Sequence, residues 1–152
     1  MSRILVAVDG SDAAAEAACK AVELLGRDHR YTVLEAIEVV PISAAPGLLG
    51  TGPAYETVPS PEMLMAETQR ATTEARNDVA VAIRRMRVGA HPIVEFGHAA
   101  EVIAETVRSN GIDVVVVGSH GKGLAERVFH GSVSHEVLKD LPCPVLVIPI
   151  TR

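Results

Sequence analysis

Short apolar runs alternate along this chain with longer segments in which apolar residues recur every three or four positions. The short runs are bounded by Gly, Asp or Pro, and they predict strands over 3–8, 31–39, 91–96, 113–117 and 145–150. The longer segments have the period of an α-helix. They predict helices over 12–25, 61–88, 99–109 and 132–139.

Two of the predicted helices have clear end signals. Ser11 precedes the first helix as an N-cap, and Gly26 follows it as a stop. Ser60 caps the second helix and Pro61 occupies its first turn, where a missing backbone N–H costs nothing. We expect Gly89 to end that helix.

Strands that alternate with helices predict a parallel sheet covered on both faces, which is an α/β fold. The fourth predicted strand is an unbroken valine run, Val114 to Val117, as expected for a strand buried on both sides. Ligands of open parallel sheets bind outside the carboxyl ends of the strands, at the point where the strand order reverses. Asp9 and Gly118 both directly follow predicted strands, so this edge of the sheet is the first place to expect a site.

Composition narrows the class of protein. A chain of 152 residues fits one domain, 1–152, and 48% apolar residues can fill a core without any run long enough for a bilayer. Cys19 and Cys143 have neither metal-site spacing nor a disulfide framework, and no cleavable signal precedes the first strand, so we expect a cytoplasmic protein. A net charge of −5, with two Tyr, two Phe and no Trp, argues against nucleic acid as the main partner.

The motif that carries most chemical information is Gly118-Ser-His-Gly121, followed by Gly131-Ser132. It runs from a strand end into a predicted helix, where backbone N–H groups and the helix dipole suit a phosphate. Glycine lets the backbone approach a ligand closely, and Ser132 and Ser134 add hydroxyl donors. The spacing favours phosphate binding, and the alternative is a turn with an ordinary serine cap.

The spacing Gly118-x2-Gly121-x9-Gly131-Ser132 resembles the nucleotide-binding pattern of the ATP-binding branch of the universal stress protein family. The opening segment 4–11 and the closing segment 141–149 are also similar to that family, whereas 41–67 shows no match. The resemblance implies an open, twisted, five-stranded parallel sheet of order 3-2-1-4-5, with helices on both faces. This is the Rossmann-like arrangement of the adenine nucleotide alpha hydrolase-like proteins.

The resemblance also implies roles for particular residues. Asp9 would contact the ribose or a Mg²⁺ ion, whereas its position alone favours the role of a turn residue before a helix. Ala7, Ile37 and Val117 would lie near the base or sugar. The phosphate and ribose loop would comprise Gly118, His120, Gly121, Gly131, Ser132, Val133 and Ser134.

The function that the resemblance implies is ATP binding, or binding of AMP or a cyclic nucleotide, by a regulatory stress-survival module. No Walker pattern is present, and no nucleophile is paired with a base, so an enzyme is at most a slow ATPase. The other alternative is a protein-interaction module without nucleotide.

Two further expectations concern surfaces. The segment 41–60 is rich in Pro and Gly and without periodicity, which is typical of a mobile flap or of a disordered loop. The last apolar strand, 145–150, would lie at the sheet edge, where it needs a partner to avoid aggregation. Antiparallel pairing with a second copy predicts a homodimer, as in family members that this chain resembles.

Overall fold

A computed structural model describes residues 1–38, 60–119 and 141–149, and within them strands and helices alternate as the hydrophobic pattern predicts. The strands are β1 (Arg3–Val8), β2 (Arg30–Ile37), β3 (Ala90–Phe96), β4 (Val114–Gly118) and β5 (Val145–Ile148). The helices are α1 (Asp12–Leu25), α2 (Pro61–Met86) and α3 (Ala99–Asn110). The predicted loop 41–60, except for its last residue, and the predicted helix 132–139 lie outside the described residues.

The five strands form one parallel sheet of order β3-β2-β1-β4-β5, which confirms the predicted fold class. The first crossover leads from β1 outward to β2, and the crossover after β3 returns to the opposite side of β1. The strand order therefore reverses between β1 and β4. All five carboxyl ends meet at one edge of the sheet, and the reversal marks one position along that edge.

Side chains alternate between the two faces of the sheet and build two cores. Val6 of β1 and Val116 of β4 pack with α1 and α2, whereas Leu5 and Val115 pack with α3 on the other face. All four are at most 1% exposed. An unbroken apolar run suits a strand that is covered on both sides, and this explains the valine run of β4.

The first helix begins and ends where the sequence predicts. The Ser11 hydroxyl accepts a hydrogen bond from the Ala14 N–H, and the Gly26 N–H donates to the Val22 carbonyl with φ of 97°. The buried face of α1 consists largely of alanine, so the helix axis can approach the sheet closely. The described residues include no helix that is both long and apolar enough to cross a bilayer.

The second helix ends earlier than predicted, at Met86 instead of Val88. Arg87, rather than Gly89, terminates it in a left-handed conformation with φ of 54°, and its N–H donates to the Arg84 carbonyl at 3.3 Å. Because β3 already begins at Ala90, the chain must leave the helix several residues before the strand. A left-handed arginine costs about 1–2 kcal/mol relative to a helical one, and the packing of the two elements offsets this cost.

Candidate functional site

The carboxyl edge between β1 and β4 brings together the two segments that the sequence analysis singled out. β1 and β4 are neighbours, with Val6 aligned to Val116. Continuing this register by one and two residues places Ala7 beside Val117 and Val8 beside Gly118, the last residues of both strands. Asp9 therefore leaves the sheet next to the start of the glycine motif, where the strand order reverses and such sheets bind ligands.

The Asp9 carboxylate organises the turn that connects β1 to α1. Its Oδ1 accepts hydrogen bonds from the Ser11 N–H at 3.1 Å and from the Ser11 hydroxyl at 2.6 Å. The same hydroxyl caps α1 by accepting the Ala14 N–H at 3.1 Å. A half-exposed carboxylate thus lies at the amino-terminal end of α1. The turn role is present in the structure, and the contact with ribose or metal stays a prediction.

Gly10 fits this turn only because it has no side chain. Its φ is +72°, a conformation that L residues rarely adopt, and a Cβ atom there would lie 2.2 Å from Oδ2 of Asp78 on α2. A small cavity of about 30 Å³ separates the turn from α2. Asp78 therefore occupies the space beside the candidate site, and nothing in its local sequence pattern indicated this contact.

The residues predicted to lie near the base or sugar do not all project to the same face of the sheet. Ala7 and Val117 pack in the same core beneath α3, and they are 5% and 0% exposed. Ile37 is two residues from Glu35, which pairs with Val8, so strand alternation directs Ile37 to the face opposite Ala7. Ala36 instead packs with the core that contains Ala7. The contact of Ala7, Ile37 and Val117 with a base or sugar stays a prediction.

The glycine motif is described only at its beginning. Gly118 is the last residue of β4, and the following Ser119 N–H donates to the Ile148 carbonyl of β5 at 2.9 Å. This hydrogen bond fixes the direction in which the chain leaves the sheet. The other predicted loop residues lie outside the described residues: His120, Gly121, Gly131, Ser132, Val133 and Ser134.

The described residues offer little evidence for a metal site or a reactive thiol. Within residues 1–38, 60–119 and 141–149, no three His, Cys, Asp or Glu side chains are grouped so that they could hold a metal ion. Cys19 and Cys143 are free thiols, and burial raises the pKa of both. Raised pKa values keep thiols protonated and poorly nucleophilic, which suits a structural role.

Comparison with known proteins agrees with this geometry. The sequence model of the universal stress protein family matches residues 1–149. The chain belongs to the universal stress protein family. Universal stress protein MJ0531 of Methanocaldococcus jannaschii is 34% identical over 146 residues, covering 96% of this chain and 81% of the relative. A universal stress protein of Thermus aquaticus is also 34% identical over 146 residues, covering 95% and 96%.

Solved structures share the universal stress protein fold with this chain. Protein MJ0577 has a TM-score of 0.71 at 24% identity, with 99% of this chain and 97% of that chain covered. A family protein from Arabidopsis thaliana with AMP bound has a TM-score of 0.60 at 19% identity, covering 99% and 93%. A universal stress protein in complex with cAMP has a TM-score of 0.61 at 17% identity, covering 97% and 96%. At these identities the likeness shows the fold.

Proposed function

We propose that this universal stress protein binds an adenine nucleotide at the carboxyl edge of the sheet, between β1 and β4. The observation that carries the proposal is the adjacency of these strands, which brings the Asp9 turn and Gly118 to the point where the strand order reverses. Proteins of the same fold hold AMP and cAMP, and this supports an adenine nucleotide as the ligand class.

The proposed roles follow from placement. The base or sugar would lie near Ala7, Ile37 and Val117, which are at or next to the carboxyl ends of their strands. Asp9 would accept from a ribose hydroxyl or hold Mg²⁺, which supplies positive charge to neutralise the phosphates. The phosphates would lie along the sequence motif that begins at Gly118. Among adenine nucleotides we propose ATP as the preferred ligand. The family resemblance implies a cytoplasmic protein that acts as a regulatory stress-survival module, and we propose that role for this chain.

The sharpest test separates the ligand role of Asp9 from its turn role. Asp9→Ala removes the carboxylate and both of its bonds to Ser11, whereas Ser11→Ala removes only the hydroxyl bond, keeps the backbone N–H bond and keeps the carboxylate. Calorimetry with ATP and Mg²⁺ should give a loss of about 1–3 kcal/mol, or roughly 5- to 150-fold in Kd, for Asp9→Ala. Ser11→Ala should retain most of the affinity. Equal losses in both variants would assign Asp9 to the turn alone.

The identity of the ligand requires a separate measurement. Mass spectrometry of nucleotide that co-purifies with the protein would distinguish ATP from AMP or a cyclic nucleotide. Recovery of ADP alone would favour slow hydrolysis.

Gly131→Val, which adds a branched side chain within the glycine motif, should abolish ATP binding while the protein stays folded. Normal ATP binding by this variant would remove the motif from the site.

We also propose a homodimer through β5. This strand lies at the edge of the sheet, and Val147 on it is 39% exposed, so an apolar edge is available for antiparallel pairing with a second copy. Light scattering at micromolar concentration should give the dimer mass, and Val147→Lys should shift the protein to monomer. A soluble wild-type monomer would contradict the pairing.

A further inference from the structure

The amino-terminal edge of the sheet, opposite the proposed nucleotide site, contains an open depression of about 490 Å³. We call it the amino-edge depression. Its volume is within the range of small-molecule sites. It lies between the beginnings of β1, β2 and β3 and the end of α3. Its lining includes Arg3, His29, Arg30, Thr32 and His91.

Two arginines of this depression lie on neighbouring strands and share one face of the sheet. Arg3 of β1 is aligned with Arg30 of β2, and aligned residues of neighbouring strands project to the same face. The strands lie about 4.8 Å apart, so two positive side chains start out as immediate neighbours, which is unfavourable without a counter-charge. Among the described residues, neither guanidinium forms a salt bridge with a carboxylate.

Arg3 is held in position by the end of α3. Its guanidinium lies against Gly111, where a Cβ atom would come within 2.9 Å of Nη2. Gly111 ends the helix with φ of +57°, and the negative end of the helix dipole attracts the guanidinium. The carboxylate of Asp113 accepts the backbone N–H of Arg3 at 2.7 Å, which places one negative charge at this strand start. The carboxyl end of α3 therefore holds the Arg3 guanidinium in position even without a ligand.

A third strand adds another group to the same face. His91 of β3 is aligned with Thr32, two residues beyond Arg30, so the exposed imidazole lies on the arginine side of the sheet. His29 has a different role. Its Nδ1 accepts the Ser2 N–H at 3.1 Å and its Nε2 donates to the Leu25 carbonyl at 2.9 Å, so both ring nitrogens bind backbone.

We propose that the amino-edge depression binds a small oxyanion with two or more negative charges, carried by phosphoryl or carboxylate groups. Guanidinium groups bind such oxygens in bidentate pairs, and a shared anion removes the repulsion between Arg3 and Arg30. The site lies at the opposite end of the strands from Gly118. It therefore stands independently of nucleotide binding.

Amide NMR of the full-length protein, titrated at constant ionic strength with inorganic pyrophosphate and separately with citrate, tests the proposal. Chemical shifts should change around Arg3, Arg30 and His91, and the stronger of the two anions identifies phosphoryl or carboxylate as the natural group. Arg30→Gln should weaken binding by roughly tenfold, as expected for losing one charged hydrogen-bonding partner. Arg76→Gln, on the exposed surface of α2, is the matched control and should bind like wild type.

Three results would overturn the proposal. They are an absence of shifts at the amino edge with both anions, shifts confined to the carboxyl edge near Asp9 and Gly118, and an unchanged affinity in Arg30→Gln. Because the two edges are distinguished by the assigned amides, a failure at one edge leaves the result at the other intact. Urea midpoints of the variants should not fall, since Arg30 is exposed and its removal relieves repulsion.

Discussion

A single methyl group on Gly10 should destabilise the whole fold. An alanine at φ of +72° costs about 1–2 kcal/mol. Its Cβ would lie 2.2 Å from Oδ2 and 2.9 Å from Cγ of Asp78, so this carboxylate has to move, as in an overpacked site that costs about 1–3 kcal/mol. Because Asp78 is only half-buried and can swing toward solvent, we expect the lower part of that range and a total of about 2–4 kcal/mol.

Removing Asp78 separates the two contributions. Its Cβ would lie 3.6 Å from the new methyl group, an ordinary contact, so Gly10→Ala in an Asp78→Ala background should lose only the backbone cost. Gly26→Ala measures a backbone cost without a steric contact, since φ and ψ there are 97° and 172°, a region almost restricted to glycine, and nothing lies within 4 Å. Gly89 has open space and no positive φ. Its alanine variant should be neutral or more stable by about 0.4–1 kcal/mol.

Urea unfolding of the variants measures these free energies. With a slope of about 2 kcal/mol per molar urea, Gly10→Ala should lower the midpoint by about 1–2 M. The double-mutant cycle should return a coupling energy of at least about 1 kcal/mol between Gly10 and Asp78. If the loss is the same with and without Asp78, the contact between the turn and α2 is not the cause.

Three further outcomes are expected. Ser11→Ala should cost about 1–2 kcal/mol in urea unfolding, because that hydroxyl both caps α1 and binds the preceding turn, whereas Ser60→Ala, at an exposed helix start, should cost about 0.5 kcal/mol. Tyr31→Phe removes a 2.5 Å hydrogen bond to the Gly26 carbonyl and should cost about 1 kcal/mol near neutral pH. Burial raises the pKa of Tyr31 above its ordinary value of 10.0, so the unfolded state releases the proton first and stability falls as pH rises past that value. Unfolding curves at about pH 8 and 11 should show a smaller alkaline loss in the Phe variant. Since burial raises the pKa of Cys19, iodoacetamide should modify it more slowly in the folded than in the urea-unfolded protein, and equal rates would contradict this.

The parts of the fold that depend on local signals could be predicted from the sequence. β1 and α1 lie where the apolar run and the Ser11 cap predict, because strand period and capping act within a few residues. The end of α2 was predicted less accurately. Gly89 can end a helix but does not have to, and Arg87 ends the helix because β3 begins only three residues later, at Ala90.

The candidate site could be predicted only in part. Asp9 and Gly118 could be placed at strand ends from the pattern, but their adjacency depends on strand order, which the family resemblance implied. The face to which a β2 residue projects depends on the exact register of the strand, and the structure shows that Ala36, not Ile37, shares the face of Ala7. The contact of Asp78 with Gly10 joins distant elements, and no local pattern encodes it.

The central position of β1 affects how the protein is made on the ribosome. β1 pairs with β2 on one side, but its other partner, β4, begins at Val114, about 77 residues after β2 ends at Ile37. At about 5–20 residues per second, synthesis leaves that edge of β1 bare for about 4–15 s. An apolar strand with a bare edge can pair with other nascent chains. The central strand of the finished sheet is therefore a segment that needs protection during synthesis.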